Sequence, residues 1–110
     1  MDPRYDEPST TTYVSQVAEA SKLVKTGAGK AYTIDIVNVA AADRFCWAFD
    51  AVALAGTVAF PPFKIPAGGF ISIEWRGPLQ FGTGLMIGSS TTQAAFAAGG
   101  ADFMMRVRSK

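Results

Sequence analysis

Residues 69–76 alternate without a fault: Ile71, Ile73 and Trp75 fall on one side, and Ser72, Glu74 and Arg76 fall on the other. A backbone that sends successive side chains to opposite faces is the one that turns this pattern into a dry face and a wet face, so the segment reads as a half-buried β-strand. The same reading extends over most of the chain. Residues 31–39 set Tyr32, Ile34 and Ile36 against Thr33 and Asp35 and are rich in β-branched side chains. Residues 44–50, 79–81, 85–89 and 103–108 are further short apolar runs. Gly27-Ala28-Gly29, Gly68-Gly69, Gly77-Pro78, Gly82-Thr83-Gly84 and Gly99-Gly100 supply the turns. Short strands separated by turn chemistry predict an all-β, single-domain antiparallel β-sandwich, jelly-roll-like, with about eight strands.

Two segments fit the pattern less directly. Residues 57–66 are extended but carry Pro61 and Pro62, which cannot donate to a ladder, so they belong at an edge or crossover. Residues 13–25 can place Val14, Val17, Ala18 and Ser21 on one helical face, yet 20–26 run into a glycine turn, and a strand is favoured there. The Ala-rich stretch 93–98 is the other place for a helical turn. Before all this, the Pro-, Ser- and Thr-bearing start of the chain reads as an extended or flexible arm. The predicted organisation is an arm over 1–19 and a sandwich domain over 20–110. The arm is either a frayed terminus or a strap lying on a neighbouring subunit, with Tyr5 and Tyr13 as its anchors.

Composition narrows the chemistry. The chain of 110 residues contains no histidine and a single cysteine. Serine–histidine or cysteine–histidine nucleophilic catalysis and histidine-ligated zinc are therefore closed to it, and no internal disulfide can form. Cys46 sits in an apolar strand and reads as a small buried hydrophobe. Asp43 and Asp50 flank that strand, where acids favour turns, so a paired-carboxylate site is not expected. Gly27-Ala28-Gly29-Lys30 lacks phosphate-loop spacing and precedes a strand, which makes it a hairpin turn. The net charge of +1 gives no electrostatic reason to expect nucleic acid. Arg106, Arg108 and Lys110 alternate with Val107 and Ser109 as the solvated face of a last strand. No apolar run reaches membrane-span length, and no leader pattern opens the chain. The expectation is a non-enzymatic protein with no cofactor, no metal, no nucleic acid and no membrane among its partners.

One strand asks for more than a fold. Residues 44–50 send Phe45, Trp47 and Phe49 one way and Cys46 and Ala48 the other, and neither set is polar. One face packs in the core; the other must be covered, either within the chain or by a second subunit. Phe60-Pro61-Pro62-Phe63 presents two more rings from a rigid backbone. Aromatic side chains concentrate in the centres of interfaces, so Phe45, Trp47, Phe49, Phe60, Pro61, Pro62 and Phe63 join Tyr5 and Tyr13 as interface candidates.

The succession of Lys25-Thr-Gly-Ala-Gly-Lys30, the strand from Tyr32 to Asn38, the aromatic strand from Phe45 to Asp50-Ala51, Ile65-Pro-Ala-Gly-Gly69 and Phe81-Gly-Thr-Gly-Leu85 resembles a family of small β-sandwich structural proteins of tailed bacteriophages and phage-like particles. The resemblance covers residues 21–90 and rests on turns and strands, not on chemistry. It implies a virion protein made in the host cytoplasm and built into the particle as capsid decoration, head spike, fibre base or tail component. It also implies a symmetric homo-oligomer, a trimer being favoured, in contact with other capsid or tail proteins. From a different class, a carbohydrate- or receptor-binding sandwich would use an exposed Trp47 or Trp75 with Asp43, Arg44, Glu74 and Arg76 as a polar rim.

Overall fold

The computed structural model describes residues 10–110. Eight strands follow in order: β1 (Thr11–Val14), β2 (Ser21–Thr26), β3 (Gly29–Asn38), β4 (Arg44–Asp50), β5 (Thr57–Ile65), β6 (Phe70–Phe81), β7 (Gly84–Ser90) and β8 (Phe103–Ser109). They form two four-stranded antiparallel sheets, β1-β8-β3-β6 and β2-β7-β4-β5. Strand one pairs with eight, two with seven, three with six and four with five. That nested pairing is one long hairpin rolled into two layers, the jelly-roll arrangement of an antiparallel sandwich.

The core forms where the inward alternations of both sheets meet. Ile34 and Ile36 of β3, Phe103, Met105 and Val107 of β8, Cys46 and Ala48 of β4, and Leu85 and Ile87 of β7 make one buried cluster, with Ile71 and Trp75 of β6 packed against it. A bulge between Ala31 and Thr33 changes one expected position. Ala31 takes the buried place, and Tyr32 is only half-buried, with the Arg108 guanidinium 5.2 Å from its ring centre.

Three expectations are corrected by the architecture. The second half of the arm is not free of the domain: Thr11–Val14 adds β1 to the edge of β8, and Glu19 exchanges backbone hydrogen bonds with Phe103. Tyr5 lies outside the described residues. Gly77-Pro78 does not end a strand. β6 runs on to Phe81, with residues 75–78 opposite Tyr32 alone, because an edge strand tolerates a proline with no N–H to give. The 93–98 stretch forms no helical turn and runs as an irregular loop. The two prolines of β5 sit in an edge strand, as their chemistry requires. At the turn that carries the chain from β5 in one sheet to β6 in the other, the Gly69 N–H donates to the Pro66 carbonyl at 2.8 Å, and Gly68 takes the left-handed position at φ 71°.

Candidate interaction surface

The aromatic face of β4 finds its cover inside the chain. Trp47 is 8% and Phe49 4% exposed. Phe96, from the loop between β7 and β8, stands edge-on to both rings at centroid distances of 6.1 and 5.7 Å. The Trp47 indole N–H donates to the Thr92 carbonyl at 3.0 Å. Ser90 ties the same loop down, its hydroxyl accepting from the Ala97 N–H at 3.0 Å and donating to the Thr92 carbonyl at 2.8 Å. Opposite Trp47 on β7 lies Gly88, and a Cβ there would come within 2.6 Å of Leu54 and 3.2 Å of the Phe96 ring. The glycine leaves the notch into which both covering side chains settle.

Trp47 and Phe49 are therefore corrected from interface candidates to the floor of a second, internal apolar layer, and Phe45 is half-buried beside them. Removing the cover tests this assignment. Phe96→Ser destabilises the protein by about 1–3 kcal/mol, a partial share of a buried aromatic's worth. It also red-shifts tryptophan emission as Trp47 meets water, while leaving the solution mass unchanged. An unshifted spectrum with full stability would show that Phe96 covers nothing.

The other candidates divide. Phe60 is buried and meets Trp75 at 5.7 Å and Phe63 at 5.5 Å, where the β5 and β6 edges of the two sheets face each other. Tyr13 is half-buried against the core, donates to Glu19, and has the Lys22 ammonium 4.4 Å from its ring centre. Phe63 is 38% exposed, Pro61 is exposed and Pro62 half-buried. Neither tryptophan offers a free platform for a sugar ring, since Trp47 lies under Phe96 and Trp75 packs against the core.

The acids are anchors for turns at the two ends of the sandwich. Asp43 and Asp50 cap opposite ends of β4, roughly 23 Å apart at the rise of a strand, too far to act as a pair. Asp50 accepts the backbone N–H groups of Gly82, Thr83 and Gly84, and those of Gly82 and Thr83 chiefly hold its carboxyl below the ordinary range. Asp43 accepts from the Ala67 N–H and faces Lys64 at 3.3 Å, which lowers it as well. Asp102 is the most enclosed. Burial pushes it up, but the Ser89 hydroxyl at 2.8 Å, Arg44 at 2.9 Å and the Gly100 N–H outweigh that and hold it low. Cys46 is pushed up to about 12 by burial, so its thiol stays protonated and unreactive.

These carboxylates set an acid limit. Each titrates lower folded than unfolded, so its stabilisation is complete above the unfolded value near 3.9 and is lost as the pH falls through the lower folded value. Urea midpoints are expected to hold steady down to about pH 5 and to drop between about pH 4 and 2, and Asp50→Asn flattens that drop. A midpoint independent of pH below 4 would contradict it.

What sequence reasoning missed is the outer face of the β1-β8-β3-β6 sheet. Cross-strand pairing lays out its rows: Met104, Val37 and Phe70 in one, then Val14, Arg106, Asp35 and Ser72 in the next, then Thr12, Arg108, Thr33 and Glu74. Phe70 is 71% exposed, Val14 49% and Val37 42%. Between them runs a groove of about 210 Å³, lined also by Met104 and Arg106. Arg106 reaches Asp35 at 3.1 Å, and the Ser72 hydroxyl donates to the other Asp35 oxygen. The signal is present in the sequence but divided: in β3, β6 and β8 the outward-pointing set turns apolar at the same end.

The class of molecule so defined is an antiparallel jelly roll with a second apolar layer behind β4 and a row of apolar side chains on the outer face of the β1-β8-β3-β6 sheet. Among models of protein families, curated proteins and solved structures, none matches this chain.

Proposed function

We propose that the protein is a structural subunit of a bacteriophage or phage-like particle, assembling as a symmetric oligomer on the capsid or tail. The observation that carries the proposal is the cross-strand row of Phe70, Val37 and half-buried Met104, which sets two exposed apolar side chains side by side on one sheet face. Clustered apolar side chains left on the surface of a folded domain mark a place where another macromolecule binds. The sequence resemblance over 21–90 supports the virion setting. Its motifs fall on features that shape the sandwich: the β2–β3 turn, the Asn38 end of β3, the Asp50 end of β4 and the β5–β6 and β6–β7 turns. Jelly rolls serve as capsid and lectin domains alike, so fold analogy alone favours neither, and the missing tryptophan platform weighs against the sugar-binding alternative.

The test is the protein content of particles purified on a density gradient from the host that carries the gene. Peptides of this chain that co-sediment with the particles, in many copies each, support the reading. Their absence from intact particles, with the protein present in the lysate, overturns it.

A further inference from the structure

We propose that the outer face of the β1-β8-β3-β6 sheet is a self-complementary surface whose partner is the same face of a second copy of this chain. This deepens the assembly reading, on which it rests, by naming the surface and its occupant. In the two rows beside the apolar one, the acids stand on β3 and β6 as Asp35 and Glu74, and the bases stand on β8 as Arg106 and Arg108. The midline of the face runs between β8 and β3.

A twofold axis lying along that midline, parallel to the strands, turns the basic half of one copy onto the acidic half of the other. Arg106 then faces the second copy's Asp35, Asp35 faces its Arg106, and Val37 and Met104 exchange in the same way. An isologous contact requires this reciprocity, in which a residue meets the residue that meets it. Most surfaces fail the requirement because their charges confront like charges. Here the same operation lays Val37 over Met104 and pairs Arg106 with Asp35 beside them, while Arg108 meets Thr33 and Glu74 meets Thr12, so that no like charges confront each other. Phe70, at the rim of the groove, becomes buried in the contact.

The decisive experiment is a charge-swap pair read by sedimentation equilibrium. The wild-type chain is expected to self-associate. Asp35→Arg alone and Arg106→Asp alone place like charges across the axis and should each sediment as monomers with an unchanged far-ultraviolet spectrum. Mixed together, the two variants should form a heterodimer. The arginine introduced at position 35 of the first chain then meets the aspartate introduced at position 106 of the second. At the other crossing, the native Arg106 of the first chain meets the native Asp35 of the second. The intrachain pair stays broken in both, so rescue reports the interchain contact alone. Phe70→Ser, at a position too exposed to disturb folding, should weaken self-association about 30-fold, as loss of an interface anchor does.

A wild-type monomer up to about 1 mM overturns the proposal. So does a mixture of the two variants that stays monomeric. If the wild type associates and neither Phe70→Ser nor the charge variants change its mass, the contact lies elsewhere. The surface is then wrong while the virion reading stands. Absence from purified particles would remove that reading and leave the measured dimer intact.

Discussion

Phe103→Ala lowers the stability of the protein by about 3–5 kcal/mol, the largest loss expected from any single truncation in this core. Phe103 is fully buried at the start of β8, pairs with Asn38 of β3, and exchanges backbone hydrogen bonds with Glu19 at 2.8 and 3.0 Å. Its backbone is thus held by β3 on one side and by the β1–β2 connection on the other, so neither flank moves readily to close the space left by the ring. A cavity that cannot collapse costs the lost transfer energy and the lost contacts together. For a domain of this size the melting temperature should fall by on the order of 15 °C or more. Thermal unfolding followed by circular dichroism measures it directly. A fall of less than about 5 °C would show that the region repacks and that Phe103 is not the keystone described.

The second large effect is polar. Asn38 is fully buried, yet each half of its amide is used. Its Nδ2 donates to the carbonyls of Ala42 at 2.9 Å and Ile65 at 3.0 Å, and its Oδ1 accepts from the Ala40 N–H at 2.9 Å. One side chain thus ties the β3–β4 loop to the end of β5. Asn38→Ala leaves those backbone groups without partners and costs about 2–4 kcal/mol, at one to a few kcal/mol for each enclosed group that water cannot reach. Asn38→Asp should be worse at neutral pH, because a carboxylate would confront the carbonyls that now accept. Chemical denaturation of the two variants settles the order. Equal losses would mean that size, not donor chemistry, matters there.

How much of this is legible in the sequence differs from one strand to the next. Ile34 and Ile36, and Ile71 and Trp75, can be placed inward because period-two patterning is a local property that each strand carries by itself, whereas β4, apolar on both faces, does not say which face goes in. The path of β6 through Gly77 and Pro78 cannot, since whether a proline ends a strand depends on being at an edge, which is a fact about neighbours. β1 reads as arm because Thr11–Val14 is a strand only by virtue of β8, far away in sequence.

The interface candidates show the same division. The outward set Phe45, Trp47 and Phe49 does need a cover, as its pattern says, but the cover is one phenylalanine in an alanine-rich loop with no pattern of its own. Phe70 escapes notice because it is a single apolar residue at the start of the 69–76 strand, on the side that Ser72, Glu74 and Arg76 make polar. Only the register against Val37 and Met104 makes it a surface.

The position of β8 between β1 and β3 also bears on how the molecule is made. During synthesis β1, β3 and β6 leave the ribosome before the strand that joins β1 to the others. Until β8 emerges and inserts, β3 carries an open edge in the middle of its own sheet, with Ile34 and Ile36 beside it. Such an edge is a template for pairing with any similar strand nearby. Contacts this remote in sequence also make closure slow. At high concentration such chains pass through a stage in which they can cross-pair through β3, and fast capture of β8 favours the yield of correctly folded protein.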